Sequence, residues 1–376
     1  MKARWLRPAL GPTMLEPVHP ASLAIDPISQ LRGDIEKPVE SGDWIAVREL
    51  LEAHPDAVAL SGELTALYGE VLLRTGRSQA AREWLTQGLL RLERRGERVS
   101  LRRVMNLLGV SLFELGQLEE AAAILEQVAE VAWSNGDDLL LAKARNNLGT
   151  IANVRGQRDK ALTLYQLAVP VYQRLGSPSG LAECYHNMAI TYRDASALEQ
   201  ADECERRAIE FAHQAGSRRL TALARLGRAE ISLRRGEVSL AEVGANHAAT
   251  AFRDAADPVG EGDALRLIGV ARTLQGKLDL ARSALETALS LTREHGAALN
   301  EAETLRALAE WAAAEGNHDV ARAHARSAVT LLERLGAAED AGAVLLWMKE
   351  NLLAERRNVR NDGTAERRND GTAERQ

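Results

Sequence analysis

The sequence predicts an all-α fold, a superhelical solenoid of antiparallel helix pairs. Three observations carry this. Glycine recurs every 40 residues between apolar helical patterns, at Gly76, Gly116, Gly156, Gly236, Gly276 and Gly316, with Ser196 in the remaining slot. An alanine follows each of these positions by five residues, from Ala81 to Ala321 without exception. Aromatic residues make up only 4% of the 376-residue chain, whereas sheets favour aromatic and β-branched side chains. The apolar share rests largely on Ala and Leu, which are strong helix formers.

Taken in order, residues 1 to 40 are Pro-rich and expected to be mostly disordered. Gly33 and Pro38 interrupt residues 27 to 40, so no convincing helix is expected there. The run "SGDWIAVRELLEAHPD" reads as the second helix of a degenerate first repeat. Seven full units follow. In each, a first helix of about 14 residues ends at the turn glycine, which can adopt φ > 0. A second helix of about 18 residues runs to another recurring turn, at Gly96, Gly136, Gly176, Gly216, Ala256, Gly296 and Gly336. Seven residues before each first turn sits Gly69, Gly109, Gly149, Ala189, Ala229, Gly269 or Ala309. Such small residues leave room where helices cross closely.

Three departures are expected to have local consequences. Ser196 predicts a tighter, 3₁₀-like turn. Pro170 predicts a kinked second helix. Asp254 to Gly262, with Pro258, Gly260 and Gly262, predicts a longer loop. Residues 338 to 353 read as a solitary capping helix with Trp347 and Met348 on its apolar side, the kind of end a solenoid needs. Residues 354 to 376 are low-complexity ("AERRNDGT") and cannot bury a core, so disorder is expected.

Composition also excludes function classes. The net charge of −6 provides no basic field for nucleic acid, and the charges of the tail nearly cancel. No apolar run is long enough to span a bilayer. No apolar h-region follows the first residues, so no signal peptide is expected, and Met14 is an alternative start. With only Cys184 and Cys204, no disulfide framework is expected, which fits the cytoplasm. Phosphate-cradling loops, dinucleotide fingerprints and metal-ligand spacings are absent from the sequence. Cys184 and His186, two apart on a helix, point to different faces. They read as a core thiol and a surface imidazole. No metal, no cofactor and no enzymatic activity is expected.

The small residue, the turn glycine and the alanines after it resemble the tetratricopeptide repeat, over residues 41 to 353. The usual repeat is about 34 residues. A 40-residue period is similar to the longer-helix subclass seen in kinesin light chains and bacterial peptide-sensing regulators. The resemblance implies a right-handed solenoid whose first helices line a concave groove. It also implies a non-enzymatic module that binds a peptide or partner-protein segment, with no nucleic acid and no membrane. Two alternatives stay open. One is a signalling or transcription regulator that senses a peptide and acts in trans. The other is a scaffold that self-assembles through the apolar end near Trp347.

Positions 13, 10, 6 and 3 before each first turn fall on one helical stripe. They give Arg103 and Asn106 in the second unit; Lys143, Asn146, Thr150 and Asn153 in the third, with Asn147 adjacent; His186 and Arg193 in the fourth, with Asn187 adjacent; and Leu226 and Glu230 in the fifth. Asparagine is a mediocre helix former, so a cluster of them asks for a reason. Its amide both donates and accepts, which suits clamping an extended peptide backbone. Arg103, Lys143 and Arg193 suit carboxylates. The competing reading is that Asn147 and Asn187 bond between neighbouring helices, and that Leu223, Leu226 and Leu233 are core rather than a pocket.

Overall fold

The structure is a computed structural model and describes residues 26–352. The Pro-rich start and the low-complexity tail lie outside the described residues. Among the described residues every regular element is α-helical.

The N-terminal cap departs from the expectation. Pro27–Ser41 forms a helix, α1, where Gly33 and Pro38 suggested none. Three local features rescue it. The Asp26 carboxylate accepts from the Ser29 N–H at 3.2 Å, capping the first turn. Pro27 stands at the first helical position, where no donor is needed. Leu31 and Ile35 pack on Val47, Leu51 and Val58, so burial outweighs the local penalties. The next segment divides into α2 (Trp44–Glu52) and α3 (Pro55–Leu60), the break falling just before Pro55.

Seven helix pairs follow: α4 (Gly62–Arg74) with α5 (Ser78–Arg95), α6 (Arg98–Glu114) with α7 (Leu118–Ser134), α8 (Asp138–Val154) with α9 (Arg158–Arg174), α10 (Pro178–Asp194) with α11 (Leu198–Gln214), α12 (Arg218–Arg234) with α13 (Val238–Asp254), α14 (Pro258–Leu274) with α15 (Leu278–Glu294), and α16 (Ala298–Ala314) with α17 (His318–Arg334). A single helix, α18 (Ala338–Leu352), closes the array. In the first pair α4 has 13 residues and α5 18, close to the unequal pair expected. From α6 onward first and second helices have 17 residues each, because both kinds of turn there occupy only three residues.

Turns within a pair (A turns: Gly76, Gly116, Gly156, Ser196, Gly236, Gly276, Gly316) and turns between pairs (B turns: Gly96, Gly136, Gly176, Gly216, Ala256, Gly296, Gly336) share one construction. At Gly116, φ is +76°. Its N–H reaches the Phe113 carbonyl at 2.9 Å and the Gln117 N–H reaches Leu112 at 2.8 Å, satisfying the last helical acceptors. Ser196 makes the same turn at φ 60°, with bonds to Arg193 and Tyr192. It is therefore not a tighter 3₁₀ turn. Ala256 does likewise at φ 50°. The longer loop expected at Asp254 to Gly262 is absent. Asp257 caps α14 through the Gly260 N–H at 2.9 Å, and Pro258 opens the helix. Gly260 and Gly262 lie inside that helix because Phe252 packs against the first and Leu291 and Thr292 against the second. Helix α9 runs on through Pro170.

The small residues do what their spacing implied. A methyl added at Gly109 would lie 2.6 Å from Leu125 Cγ, and one at Gly269 would lie 2.5 Å from Leu285 Cγ. All seven alanines from Ala81 to Ala321 are fully buried. The second helix thus rests directly on the backbone of the first.

The array also meets itself. His295 Nδ1 lies 3.0 Å from the Gly76 carbonyl oxygen, 219 residues away. Arg158 pairs with Glu339 at 2.8 Å, across 181 residues. Leu335 packs on Gly116, Leu115 on Gly296, and Pro258 on Gly76. The A edge of the first three pairs therefore touches the B edge of the last ones about five repeats later, forming a seam between successive turns of the superhelix. The interior of the coil is enclosed there.

Candidate functional site

The site is built from the first helices. On their inner side, α8 and α10 face α16 and α18 across the interior. Between them lies a cavity of about 120 Å³ lined by Phe113, Thr150, Asn153, Asn187, Ile190, Arg193 and Asp194 on one side. Leu299, Glu303, Glu339 and Asp340 contribute from one superhelical turn later. Four sequence-predicted residues, Thr150, Asn153, Asn187 and Arg193, are brought together in this cavity.

The asparagines divide into two kinds. Asn147 Nδ2 donates to Asn106 Oδ1 at 3.4 Å, and Asn187 Nδ2 donates to Asn146 Oδ1 at 3.2 Å. Asn106 and Asn146 are themselves buried. Stacked first helices are therefore tied by a ladder of side-chain amides, and the acceptors of that ladder lie inside the helix contacts. Asn153 differs. Its Nδ2 donates to Asp194 Oδ2 at 3.1 Å, while its Oδ1 is buried without a hydrogen-bond partner. A buried acceptor of this kind costs about 1–3 kcal/mol until a donor reaches it. Thr150 sits one turn along and bonds back to the Asn146 carbonyl.

The charged candidates are held in networks. Arg193 pairs with Asp194 at 2.9 Å and with Glu230. Glu230 also meets Arg266 at 2.6 Å, and Arg266 meets Asp263 at 2.7 Å and Glu303 at 3.3 Å. The network thus runs from the fourth unit to the seventh. Arg103 is exposed and reaches Glu70 at 3.1 Å. Burial pushes the Glu70 carboxyl up, but Arg74, Arg103 and Lys143 outweigh it and hold it below the usual range. Asp340 is raised, first by burial and then by Glu303 and Asp194 beside it. Leu226 is buried in the core with Ala222 and Phe252.

His186 is not the surface imidazole expected. It is half-buried, and its Nδ1 lies 3.0 Å from Glu205 Oε1. Glu205 is almost fully buried, and its carboxyl is raised by burial, against the pull of His186, Arg193 and Arg228. A methyl at Gly227 would overlap the Glu205 carboxylate, so that glycine exists to seat an acid. Sequence reasoning missed Glu205 because it lies on a second helix. The isolated glycine at 227, where its neighbours carry larger residues, was the available signal. Asp194, Glu339 and Asp340 were missed for another reason. Asp194 lies one residue outside the stripe, and Glu339 and Asp340 enter across the seam from far away in sequence.

Cys184 and Cys204 are buried thiols in one core cluster, each pushed up by burial, Cys184 to about 12 and Cys204 to about 11. Among the described residues, no group of three or more His, Cys, Asp or Glu could hold a metal ion, and no helix is long and apolar enough to cross a membrane. Trp347 is not an exposed end. It packs on the core of the last pairs, and Leu345 and Leu346 are the exposed large apolar residues of α18.

Comparison with known proteins agrees with this architecture. The chain is 32% identical over 168 residues to the regulatory protein AfsR of Streptomyces griseus, a match covering 41% of this chain and 17% of that protein. The chain therefore spans well under a fifth of that relative's length. Among solved structures it is similar to a Rap protein complexed with competence and sporulation factor, with a TM-score of 0.64, 15% identity, and 91% and 96% of the two chains covered. It is also similar to the Cut9–Hcn1 hetero-tetramer structure, with a TM-score of 0.58, 13% identity, and 83% and 55% covered. At these identities the likeness concerns the fold. The tetratricopeptide repeat family model matches residues 62–132, 140–214 and 261–334, more than half of the chain. With the 40-residue period, the small residues at the crossings and the paired helices already in place, the chain belongs to the tetratricopeptide repeat family.

Proposed function

We propose that the chain is a non-enzymatic recognition module that takes an extended peptide or partner-protein segment into the interior of its superhelix, in the cavity at Thr150, Asn153, Asn187 and Arg193. One observation carries this reading. The buried Asn153 Oδ1 has no hydrogen-bond partner and belongs to a residue lining that cavity. A backbone N–H of a bound segment would satisfy it, and Asn187, whose Nδ2 donates to Asn146, lines the same cavity. The unpaired thiols fit a cytoplasmic setting.

A regulatory reading has its own support. The curated relative is named a regulatory protein, and a fold neighbour is a Rap protein complexed with competence and sporulation factor. On that reading, segment binding changes how the chain acts on another protein.

The test is selection of binders from a random peptide library, followed by anisotropy titration. The double variant Asn153→Ala, Asn187→Ala is expected to weaken selected peptides about tenfold or more, with helical content unchanged. Selected peptides that bind the variant as tightly as the parent would place recognition elsewhere. A library that yields no binder would also overturn the proposal.

A further inference from the structure

The amide ladder changes character at its third rung. In the first two rungs, an asparagine nine residues before one A turn donates to an asparagine ten residues before the preceding A turn: Asn147 to Asn106, and Asn187 to Asn146. One 40-residue period further on, the same two places hold Gly227 and His186. Gly227 has no side chain to donate, and a third residue fills the gap. Glu205 enters from α11, with its two carboxylate oxygens 3.0 and 3.2 Å from His186 Nδ1. A Cβ at 227 would overlap that carboxylate, so an asparagine donor at 227 and the Glu205 carboxylate exclude one another.

This exchange is unfavourable for support alone. An amide pair ties two helices without burying charge, whereas a nearly inaccessible acid carries a desolvation cost that its partner must offset. What it adds is orientation. A carboxylate accepts and does not donate, so Glu205 keeps a proton on His186 Nδ1 and fixes the plane of the ring. The other ring nitrogen, Nε2, has no hydrogen-bond partner among the described residues. Asn106 and Asn146 are only 6% and 5% exposed, but the His186 side chain keeps 17%. The open part lies away from Glu205. His186 stands four residues before Ile190 and seven before Arg193 on α10, and both of those line the interior cavity.

We infer that His186 is a further recognition residue of the interior site, its Nε2 accepting a hydrogen bond from a backbone N–H or hydroxyl of the bound segment, with Glu205 and Gly227 as positioning residues. The inference rests on the proposed segment binding and extends its line of contact from the cavity along α10. Glu205 acts through the ring it holds, and Gly227 acts through the space it leaves for Glu205.

Peptides selected from a random library against the full chain are the probe. The triple variant His186→Asn, Glu205→Ala, Gly227→Asn rebuilds the asparagine pair of the first two rungs and removes the buried acid. It is expected to keep the helical content of the parent and to bind the selected peptides about tenfold more weakly. Nitrogen NMR of the parent labelled with ¹⁵N-histidine gives a reading that needs no variant. His186 is expected to show a protonated Nδ1 and an unprotonated Nε2, and the Nε2 resonance should move when peptide saturates the chain. In Glu205→Gln, whose amide can donate to the ring, the Nδ1-protonated signature should be lost and binding should weaken. An Nε2 resonance that saturating peptide leaves in place overturns the inference, as does a triple variant that binds like the parent. With the Asn153→Ala, Asn187→Ala variant still weakened, either result would leave the cavity reading standing. A library that yields no binder overturns both.

Discussion

Replacing Glu114 by glutamine should change how stability depends on pH. Glu114 lies at the C-terminal end of α6, held by the Ser78 hydroxyl. Burial raises its pKa from 4.5 to about 7, against the pull of Ser78 and Arg219 and with a further push from Asp257. The carboxyl is harder to ionise in the folded chain than in the unfolded one. Its favourable contribution is therefore complete below pH 4.5, is lost as pH rises through about 7, and changes little above that. At about 1.36 kcal/mol per unit the full shift corresponds to roughly 3 kcal/mol, and partial exposure of the side chain reduces this to about 1–2 kcal/mol. Glutamine keeps the shape and carries no charge. The assay is thermal unfolding by circular dichroism of parent and Glu114→Gln between pH 5 and pH 8. The variant should gain on the parent as pH rises, by a few degrees in Tm at the alkaline end. A difference that stays constant over this range would refute the reasoning.

Three further outcomes are expected. Gly227→Ala should cost about 1–3 kcal/mol by crowding the Glu205 carboxylate, and urea unfolding should show strong coupling with Glu205→Ala; purely additive losses would count against the contact. Ser196→Gly and Ala256→Gly should each stabilise by about 0.5–1 kcal/mol, since a left-handed conformation costs an L-residue more than the entropy glycine brings; melts that show no gain would contradict this. Arg158→Glu sets like charges across the seam and should widen the solution scattering profile. Because the Arg158–Glu339 pair is partly exposed, its stability cost should stay within about 1 kcal/mol, and an unchanged profile would argue that the seam does not form in solution.

The repeat was legible because its constraints are local. A left-handed turn and a close helix crossing each select particular residue types at fixed offsets, and Gly109 under Leu125 is a direct trace of one. Ser196 and Ala256 mark the limit of that reading. Once six or so turns fix the register, packing holds the remaining one in the left-handed region without a glycine. Helix α1 was missed because Gly33 and Pro38 weigh against a helix locally, whereas burial of Leu31 and Ile35 decides the matter. The inner stripe was legible in outline only. A rotation of less than one residue separates a groove-facing asparagine from one inside the ladder, so Asn153 lines the cavity while Asn106 and Asn146 are buried. The acidic contribution of Glu339 and Asp340 depends on contacts across some 180 residues, which no helical period encodes.

The seam gives this array a property that an ordinary ladder of repeats lacks. Where each repeat touches only its neighbours, stability and motion are sums of adjacent terms. Here the first pairs are mechanical neighbours of the last. A small change in the rotation between two pairs accumulates over about five of them before it reaches the seam. The edges then slide past one another like the scales of a vernier. A segment that tilts α8 against α10 by a small angle would be read out, magnified, where His295 meets Gly76 and Glu339 meets Arg158.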